Sequence, residues 1–213
     1  DKYVFRSVTP ADKDLILKMV NEGFLKSCPH SRTFNMTPDT FRVTIYPDAL
    51  KNQYSRIVIE KESGKVIGFR LYSISHRDQT KDIPTYDVDP EAMTEDVIHY
   101  LTRILAVQKQ MIWELKPSVN KLLRQELTFI EPEHQRNGIG SKFISLLNLD
   151  ELKKEQVDGI QSEATSHSNQ QMLTKLGYVK LSEAQPEDYV RADGTTVKLP
   201  DETTSLKLFY KAL

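Results

Sequence analysis

The chain has 213 residues, which is enough for one large domain with a sizeable core. Its 29 Lys and Arg residues nearly balance 30 Asp and Glu residues, and the net charge of −1 excludes the broad basic surface of a nucleic-acid or membrane-surface binder. The single cysteine excludes an intrachain disulfide and a cysteine metal cage. Because a long apolar run and a signal-like start are also lacking, we expect a soluble cytoplasmic protein.

The first half of the chain predicts strands, helices and one long loop. Thr-Pro pairs mark two helix starts, and Gly64 separates two strand-like runs as in a hairpin. In chain order the patterns predict a strand over 3–8, a helix from Thr9 to about Leu25, a second helix from Thr37 to about Asn52, hairpin strands over 56–61 and 65–74, and a polar surface loop over 76–89.

The second half alternates helices with strands. Asp89-Pro90 caps the start of a long helix, in which apolar residues recur at helical spacing and which ends before Pro117. Gly177 closes a short helix further along the chain. The remaining patterns predict a strand over 122–130, a helix over 138–156, a strand over 159–164, the short helix over 168–176, a strand over 178–181 and a last strand around 206–210. Because no repeat or linker divides these elements, we expect one mixed α/β domain over residues 1–213.

The most informative stretch is 127–141, where an apolar strand, a proline and a polar turn with two glycines precede a helix. Glycines at 138 and 140 leave room for a ligand, and the first helical turn offers unpaired N–H groups. This combination favours an anion site, most plausibly for phosphates, although a plain helix start has the same pattern. It is neither a dinucleotide fingerprint nor a P-loop, because the third glycine and the Gly-Lys-Ser/Thr are missing.

Residues 135–140, Gln-Arg-Asn-Gly-Ile-Gly, resemble the Gln/Arg-x-x-Gly-x-Gly/Ala motif of the GNAT superfamily of N-acetyltransferases. Lys175-Leu176-Gly177-Tyr178 is similar to the closing signature of the same fold. Within the superfamily, the chain looks closest to insect-type arylalkylamine (dopamine) N-acetyltransferases, on the stretches 23–29, 165–169 and 188–194. The resemblance implies a single GNAT-type acyl-CoA N-acyltransferase domain, with a mixed central sheet of about seven strands splayed in a V and flanked by helices.

The resemblance also implies where acetyl-CoA binds: in the V between the strand that ends near Ile130 and the strand that ends near Ala164. The pyrophosphate would contact the N–H groups of 136–141, and the pantetheine arm would pair with strand backbone like an added strand. That backbone would also polarise the thioester carbonyl. The acetyl-CoA-binding residues implied in this way are Phe129, Ile130, Gln135, Arg136, Asn137, Gly138, Ile139, Gly140, Ser141 and Asn169.

The catalytic pattern of the family is not fully present. The arylalkylamine enzymes carry a glutamate base in Asp-Glu-Pro, where this chain reads Ser27-Cys28-Pro29. Their two proton-handling serines correspond to Thr165 and Asn169, and only threonine keeps a hydroxyl. The tyrosine acid of many relatives corresponds to Leu173. These departures leave the acceptor amine and the mechanism open.

Several residues are candidates for the missing base. Strand alternation predicts that Arg124, Glu126, Thr128 and Ile130 share one face, and Glu126 is our first choice, with an ion-paired surface glutamate as the alternative. His167 has a suitable pKa but also fits an ordinary loop histidine. The other candidates are Glu22, with solvation as the alternative, and Cys28, as an acetyl carrier or as a packing residue near the cleft.

Other roles are assigned as follows. Ser168 is a candidate donor of the proton to the leaving thiolate, or else the N-cap of the following helix. We therefore predict Glu126, Thr165 and Ser168 as catalytic, and Cys28 and His167 as acceptor-binding residues. The five histidines are scattered, and Glu131-x-Glu133-His134 is not a convincing ligand spacing, so we expect no metal.

The sequence favours an acetyl-CoA-dependent N-acetyltransferase that acts on a small primary amine, with arylalkylamines as the first guess. A non-catalytic acyl-CoA-binding protein is the alternative, because Cys28, Asn169 and Leu173 replace familiar catalytic residues. A third possibility, transfer to a protein N-terminus or lysine, would need a more open cleft. We expect a monomer, with a dimer as the alternative, and no nucleic-acid or membrane partner.

Overall fold

The computed structural model describes residues 2–213. Seven strands form one mixed sheet in the order β1-β3-β4-β6-β7-β9-β8, and a separate two-stranded ribbon pairs β2 with β5. The strands are β1 (Tyr3–Ser7), β2 (Val43–Ile45), β3 (Arg56–Glu60), β4 (Val66–His76), β5 (Tyr86–Val88), β6 (Lys121–Ile130), β7 (Gly159–Ala164), β8 (Val179–Glu183) and β9 (Lys207–Ala212). The expected seven-stranded mixed sheet is confirmed.

Helices cover both faces of the sheet. They are α1 (Lys13–Met19), α2 (Leu25–Ser27), α3 (Pro29–Thr33), α4 (Glu95–His99), α5 (Ala106–Leu115), α6 (Ile139–Ser145), α7 (Leu149–Lys154) and α8 (His167–Lys175). A π-helical turn over Val20–Phe24 joins α1 to α2, and a second one over Tyr100–Leu105 joins α4 to α5. No helix described between residues 2 and 213 has the length and apolarity of a bilayer span.

The second helix predicted over 37–52 is wrong. This segment forms a turn and then β2, which pairs antiparallel with β5 inside the stretch expected to be a plain loop. The Thr40 hydroxyl accepts a hydrogen bond from the Thr37 N–H at 2.8 Å and donates one to the Asn35 carbonyl at 2.7 Å. Such local side-chain bonds give the backbone an alternative to helical pairing.

Two other helix boundaries differ from the prediction. The long helix begins at Glu95 instead of near Asp89, because the Thr94 hydroxyl accepts from the Val97 N–H and caps it there. The helix predicted over 138–156 is two helices, since the Asn148 side chain accepts from the Glu151 N–H and starts α7. An N-cap inside an apolar pattern ends one helix and begins another.

A bulge in β6 changes which residues face each side of the sheet. Arg70 pairs with Thr128 but Tyr72 pairs with Gln125, so β6 has one extra residue in this interval. Before the bulge, Glu126 faces α5; after it, Phe129 packs in the core beneath α1. The prediction that Arg124, Glu126, Thr128 and Ile130 share one face is wrong, because Thr128 and Ile130 lie on the opposite side, towards Arg70 and α6.

The sheet opens in its middle. Strands β6 and β7 are the parallel pair of the sheet, and their pairing ends at Gln125↔Ser162. Beyond that point β6 continues to Ile130 along β4 alone. The predicted V between β6 and β7 is therefore present in the fold, and it exposes one backbone edge of β6.

Candidate active site

A cleft of about 960 Å³ lies where β6 and β7 separate. Its walls come from both strands, from the loop before α6, from the start of α8 and from both π-helical turns. Every residue predicted for the site lines this cleft except Asn137. The side-chain amide of Asn137 instead donates to the carbonyls of His134 and Gln135, each at 3.1 Å, and so shapes the loop from behind.

One end of the cleft is the amide loop, which we define as residues 135–141. Arg136 and Gly138 both have left-handed backbone conformations, with φ of 59° and 74°. The turn that they form leaves the backbone N–H groups of 136–141 without an acceptor among residues 2–213. Successive free N–H groups of this kind form a concave site for anionic oxygens, and phosphate fits it. A Cβ on Gly138 would meet open space, so the loop is accessible.

The exposed edge of β6 is tightly packed from behind. The ring of Phe129 lies against Gly23 in the first π-helical turn, where a Cβ would come within 2.2 Å of it. The Gln135 side chain donates to the Ile130 carbonyl at 2.9 Å. A ligand that pairs with this edge would therefore compete with Gln135 for one acceptor, which the sequence did not suggest.

Away from the amide loop, Lys109, Glu126 and Glu163 line the cleft, and Arg124 lies behind them on β6. We call these four residues the charged cluster. Glu126 is nearly buried: one oxygen accepts from the Ser73 hydroxyl at 2.6 Å, and the other lies 3.5 Å from Lys109 Nζ. Lys109 comes from α5, so the pair spans sheet and helix. Both bonds hold the carboxylate in a fixed orientation beside the bulge, at the side of the cleft.

Glu163 is a second carboxyl in the cleft, which the sequence analysis missed. Burial raises the pKa of Glu163 above its ordinary value, while the nearby Arg124 and Lys109 cations oppose that rise. Its carboxylate also accepts a hydrogen bond from the Gln161 side chain. The available signal was a glutamate inside the otherwise uncharged strand over 159–164.

Cys28 ends the first long helix and lies at the cleft, 7% exposed. Its Sγ is 3.7 Å from the Thr165 hydroxyl. His30, two residues further along the chain, cannot take a proton from this thiol because both of its ring nitrogens are already bound. Nδ1 is bound to the Thr165 carbonyl at 3.0 Å and Nε2 to the Tyr189 hydroxyl at 3.1 Å. His30 therefore has no free ring nitrogen with which to activate Cys28.

The hydrogen bonds of His30 determine its protonation. A carbonyl only accepts, so Nδ1 carries the proton, and Nε2 then accepts from Tyr189, whose oxygen accepts from the Leu206 N–H at 2.6 Å. Burial lowers the pKa of His30 to about 4, with the Thr165 bond opposing the shift. Neutral His30 thus joins α3, the loop after β7 and the C-terminal segment.

The start of α8 presents three hydroxyls to the cleft: Thr165, Ser166 and Ser168. Ser166 is the N-cap, since its hydroxyl accepts from the Asn169 N–H. The alternative in which Ser168 is the cap is therefore wrong, and its side chain lies 3.4 Å from that of Ser166. His167 is 3.3 Å from Glu202 on the outer rim.

Leu173, at the position of the tyrosine acid in many relatives, is fully buried in the core below α8. It does not line the cleft. The hydroxyls before α8 are the nearest replacements that the described cleft offers.

Glu131, Glu133 and His134 do come together, with ligand atoms within 4.8 Å of one another, although their sequence spacing argued against a metal. Protein groups already engage two of them. Lys65 pairs with Glu131 at 2.9 Å, and the Tyr3 hydroxyl lies 3.3 Å from His134 Nδ1.

No protein-family model and no curated protein matches the sequence. Solved structures do match. Arylalkylamine N-acetyltransferase 2 from Aedes aegypti has a TM-score of 0.76 at 15% identity, covering 100% of this chain and 99% of that chain. The polyamine N-acetyltransferase of Drosophila melanogaster matches with a TM-score of 0.67 at 14% identity, and the match covers 99% of this chain and 100% of that chain. The C-terminal condensation domain of Ebony matches with a TM-score of 0.69 at 17% identity, covering 100% of this chain and 99% of that chain. The chain therefore has the GNAT fold.

Proposed function

We propose that this protein is an acetyl-CoA-dependent N-acetyltransferase that acts on a small primary amine, with arylalkylamines as the first class of acceptor. The observation that carries the proposal is the juxtaposition of six free N–H groups, at 136–141, with a buried carboxylate, Glu126, in one cleft. Acetyl-CoA would supply the activated acetyl thioester. The free N–H groups suit its phosphates, and the edge of β6 at Phe129 and Ile130 suits its amide-bearing arm.

Different residues along the cleft would hold different parts of acetyl-CoA. Arg136 to Ser141 would contact the phosphates, and Gln135 and Asn169 line the same end of the cleft. Asn137 would act through the loop carbonyls that it supports. Gly138 keeps the left-handed backbone that aims these N–H groups at the cleft, which a residue with a side chain adopts at a cost.

The acceptor half of the cleft favours an apolar or aromatic amine. Apolar side chains from the two π-helical turns and from the segment before β2 line it: Val20, Phe24, Met36, Phe41, Tyr100, Leu101 and Leu105. Such a surface contacts hydrocarbon or ring atoms, and Cys28 and His167 lie at its border with the donor half.

Glu126 is the residue that we assign to proton removal. An amine with a pKa near 10.4 is neutral in only about one molecule in a few thousand at pH 7, so a nearby base raises the reactive fraction. Ser73 and Lys109 fix the carboxylate in place. Thr165 and Ser168 line the same cleft, and their hydroxyls would return a proton to the leaving thiolate.

The test is release of CoA thiol from acetyl-CoA over a panel of arylalkylamines, polyamines and peptides, with acetyl-CoA binding measured in parallel by calorimetry. We expect binding, and turnover with at least one small amine. Binding without turnover on any acceptor would instead support a non-catalytic acyl-CoA-binding protein, which Cys28 at the usual glutamate position favours. Absence of acetyl-CoA binding would overturn both.

A further inference from the structure

A second cavity of about 300 Å³ lies behind the charged cluster. We call it the side chamber. Its floor is β4 and β6, and its walls are α5 and the segment before β5. Tyr86, Lys109 and Glu126 line both the side chamber and the main cleft. Only these three side chains therefore separate the side chamber from the main cleft, and one of them is the proposed base, Glu126.

Three buried polar atoms that line the side chamber have no hydrogen-bond partner among residues 2–213: Arg124 Nε, Trp113 Nε1 and Thr85 Oγ1. Their residues are 6%, 9% and 3% exposed. Buried polar groups are nearly always paired, because an unmet one costs about 1–3 kcal/mol. Two of these three atoms, Arg124 Nε and Trp113 Nε1, are pure donors, and neither has an acceptor within hydrogen-bond distance.

The acidic side chains around the side chamber do not supply that acceptor. Glu126 already binds Ser73 and Lys109. Asp82 accepts from the Ser75 hydroxyl and from the backbone and ring of His76. Arg124 Nε has no partner within residues 2–213. Glu163 lies near Arg124 but forms no ion pair with it, so the buried guanidinium has no carboxylate in direct contact, and its fork geometry matches one brought by a ligand.

The spacing along β6 suggests the shape of that ligand. Arg124 and Glu126 are two residues apart on the same face, before the bulge, which corresponds to about 7 Å along a strand. A small molecule with its amine beside Glu126 and its carboxylate beside Arg124 would be a short ω-amino acid. Its connecting carbons would pass the wall formed by Tyr86 and Lys109.

We propose that the side chamber is a carboxylate-binding subsite, centred on Arg124 and Trp113, which holds the carboxylate of an amino-acid acceptor. This inference rests on the proposed N-acetyltransferase function for the identity of the ligand. The subsite itself rests only on the geometry around Arg124. The same carboxylate chemistry would serve a separate small effector, and the probes below distinguish the two.

The first experiment measures binding without turnover. Three matched probes are 4-aminobutyrate, butylamine and butyrate, titrated into the whole protein and followed by ligand-observed NMR. We expect 4-aminobutyrate to bind at least tenfold more tightly than butylamine, and Arg124→Gln to remove that advantage. Arg103→Gln, an exposed arginine outside both cavities, is the matched control and keeps the advantage.

The second experiment measures turnover. The ratio of kcat/KM for 4-aminobutyrate to kcat/KM for butylamine is expected to fall at least tenfold in Arg124→Gln. Trp113→Phe keeps an aromatic side chain but loses the indole N–H together with the five-membered ring that carries it, so it tests the subsite if the arginine variant does not fold. We expect this variant to lower the same ratio by roughly threefold to tenfold.

The outcomes separate the two proposals. Arg124-dependent carboxylate binding in a protein that acetylates no amine would leave the subsite standing and defeat the proposed function. Turnover of plain amines with no Arg124-dependent carboxylate binding means that the side chamber holds water only, and it overturns the subsite. Butyrate that binds through Arg124 without competing against 4-aminobutyrate would overturn its assignment to the acceptor.

Discussion

The two ends of the cleft are built in different ways. The amide loop is made of backbone: its free N–H groups come from consecutive residues, and its shape depends on left-handed conformations at 136 and 138. The charged cluster is made of side chains that come from α5, β6 and β7, far apart in sequence. The comparison teaches that binding of an anion needs only local backbone geometry, whereas placing a buried carboxylate needs strand register and long-range packing.

The largest expected effect tests the charged cluster. Glu126→Gln removes the proposed base while keeping the shape of the side chain, and we expect kcat to fall about a thousandfold, within the range of general-base catalysis. Steady-state thiol release over a series of amines measures it. The control is Glu22→Gln, an exposed glutamate paired only with Lys18, which should leave kcat unchanged. A loss of less than tenfold would assign proton removal elsewhere.

The next effect tests the connection between α3, Thr165 and the C-terminal segment. The pKa of His30 is about 4 in the folded protein and near 6.5 when unfolded, so the unfolded state binds the proton first as pH falls. Stability is therefore complete above pH 6.5 and declines towards pH 4, by about 3 kcal/mol in total. Urea unfolding at several pH values measures this decline.

The matched variants isolate His30 from other groups. His30→Gln lowers stability at neutral pH but flattens its decline between pH 6.5 and 4, whereas His167→Gln, on the exposed rim, keeps the decline. The pKa of Asp12 is lowered to about 2 by Arg6, so its contribution is lost only between about pH 3.8 and 2. An equal decline in wild type and His30→Gln would show that His30 is not buried as a neutral group.

A third effect tests the amide loop. In Gly138→Asp, the new carboxylate repels phosphate and competes for the free N–H groups, so we expect acetyl-CoA affinity to fall about a hundredfold, equivalent to about 3 kcal/mol. Calorimetry measures the affinity. Gly64→Asp is the matched control, because Gly64 also has a positive φ and open space, but lies in the β3–β4 turn outside the cleft. Equal losses in both variants would indicate only backbone strain.

The smallest expected effect concerns the border between the two ends. Cys28→Ser keeps a donor near Thr165, and since both ring nitrogens of the neighbouring His30 are already bound, we expect kcat to change less than about threefold. Stopped-flow thiol release is the measurement. A kcat lowered a hundredfold, together with loss of an initial burst, would instead identify Cys28 as an acetyl carrier.

The same contrast explains what the sequence could predict. The amide loop, the seven strands and the opening between β6 and β7 follow from local patterns and from a recognisable motif. The charged cluster does not, because Lys109 and Glu163 meet Glu126 only through tertiary packing. The bulge in β6 also breaks the alternation on which the face of Thr128 was predicted.

Errors in helices have a related cause. Thr37-Pro38 has the pattern of a helix start, but Thr40 satisfies the local backbone in a turn and the following residues pair with β5. In the stretch 138–156, one capping asparagine, Asn148, divided an otherwise continuous apolar pattern. Helix boundaries of this kind depend on competition between short-range hydrogen bonds, and the spacing of apolar residues carries no information about that competition.

The two π-helical turns that line the cleft have a consequence for the length of the chain. Each accommodates an extra residue within a helix that otherwise winds at about 100° per residue. Because the turn absorbs that residue, deleting one residue from Val20–Phe24 would restore regular winding and remove the widened turn from the cleft wall, while α2 keeps roughly its orientation. The first turn is also sensitive to the identity of one residue, because the Phe129 ring fills the space that a Cβ at Gly23 would need.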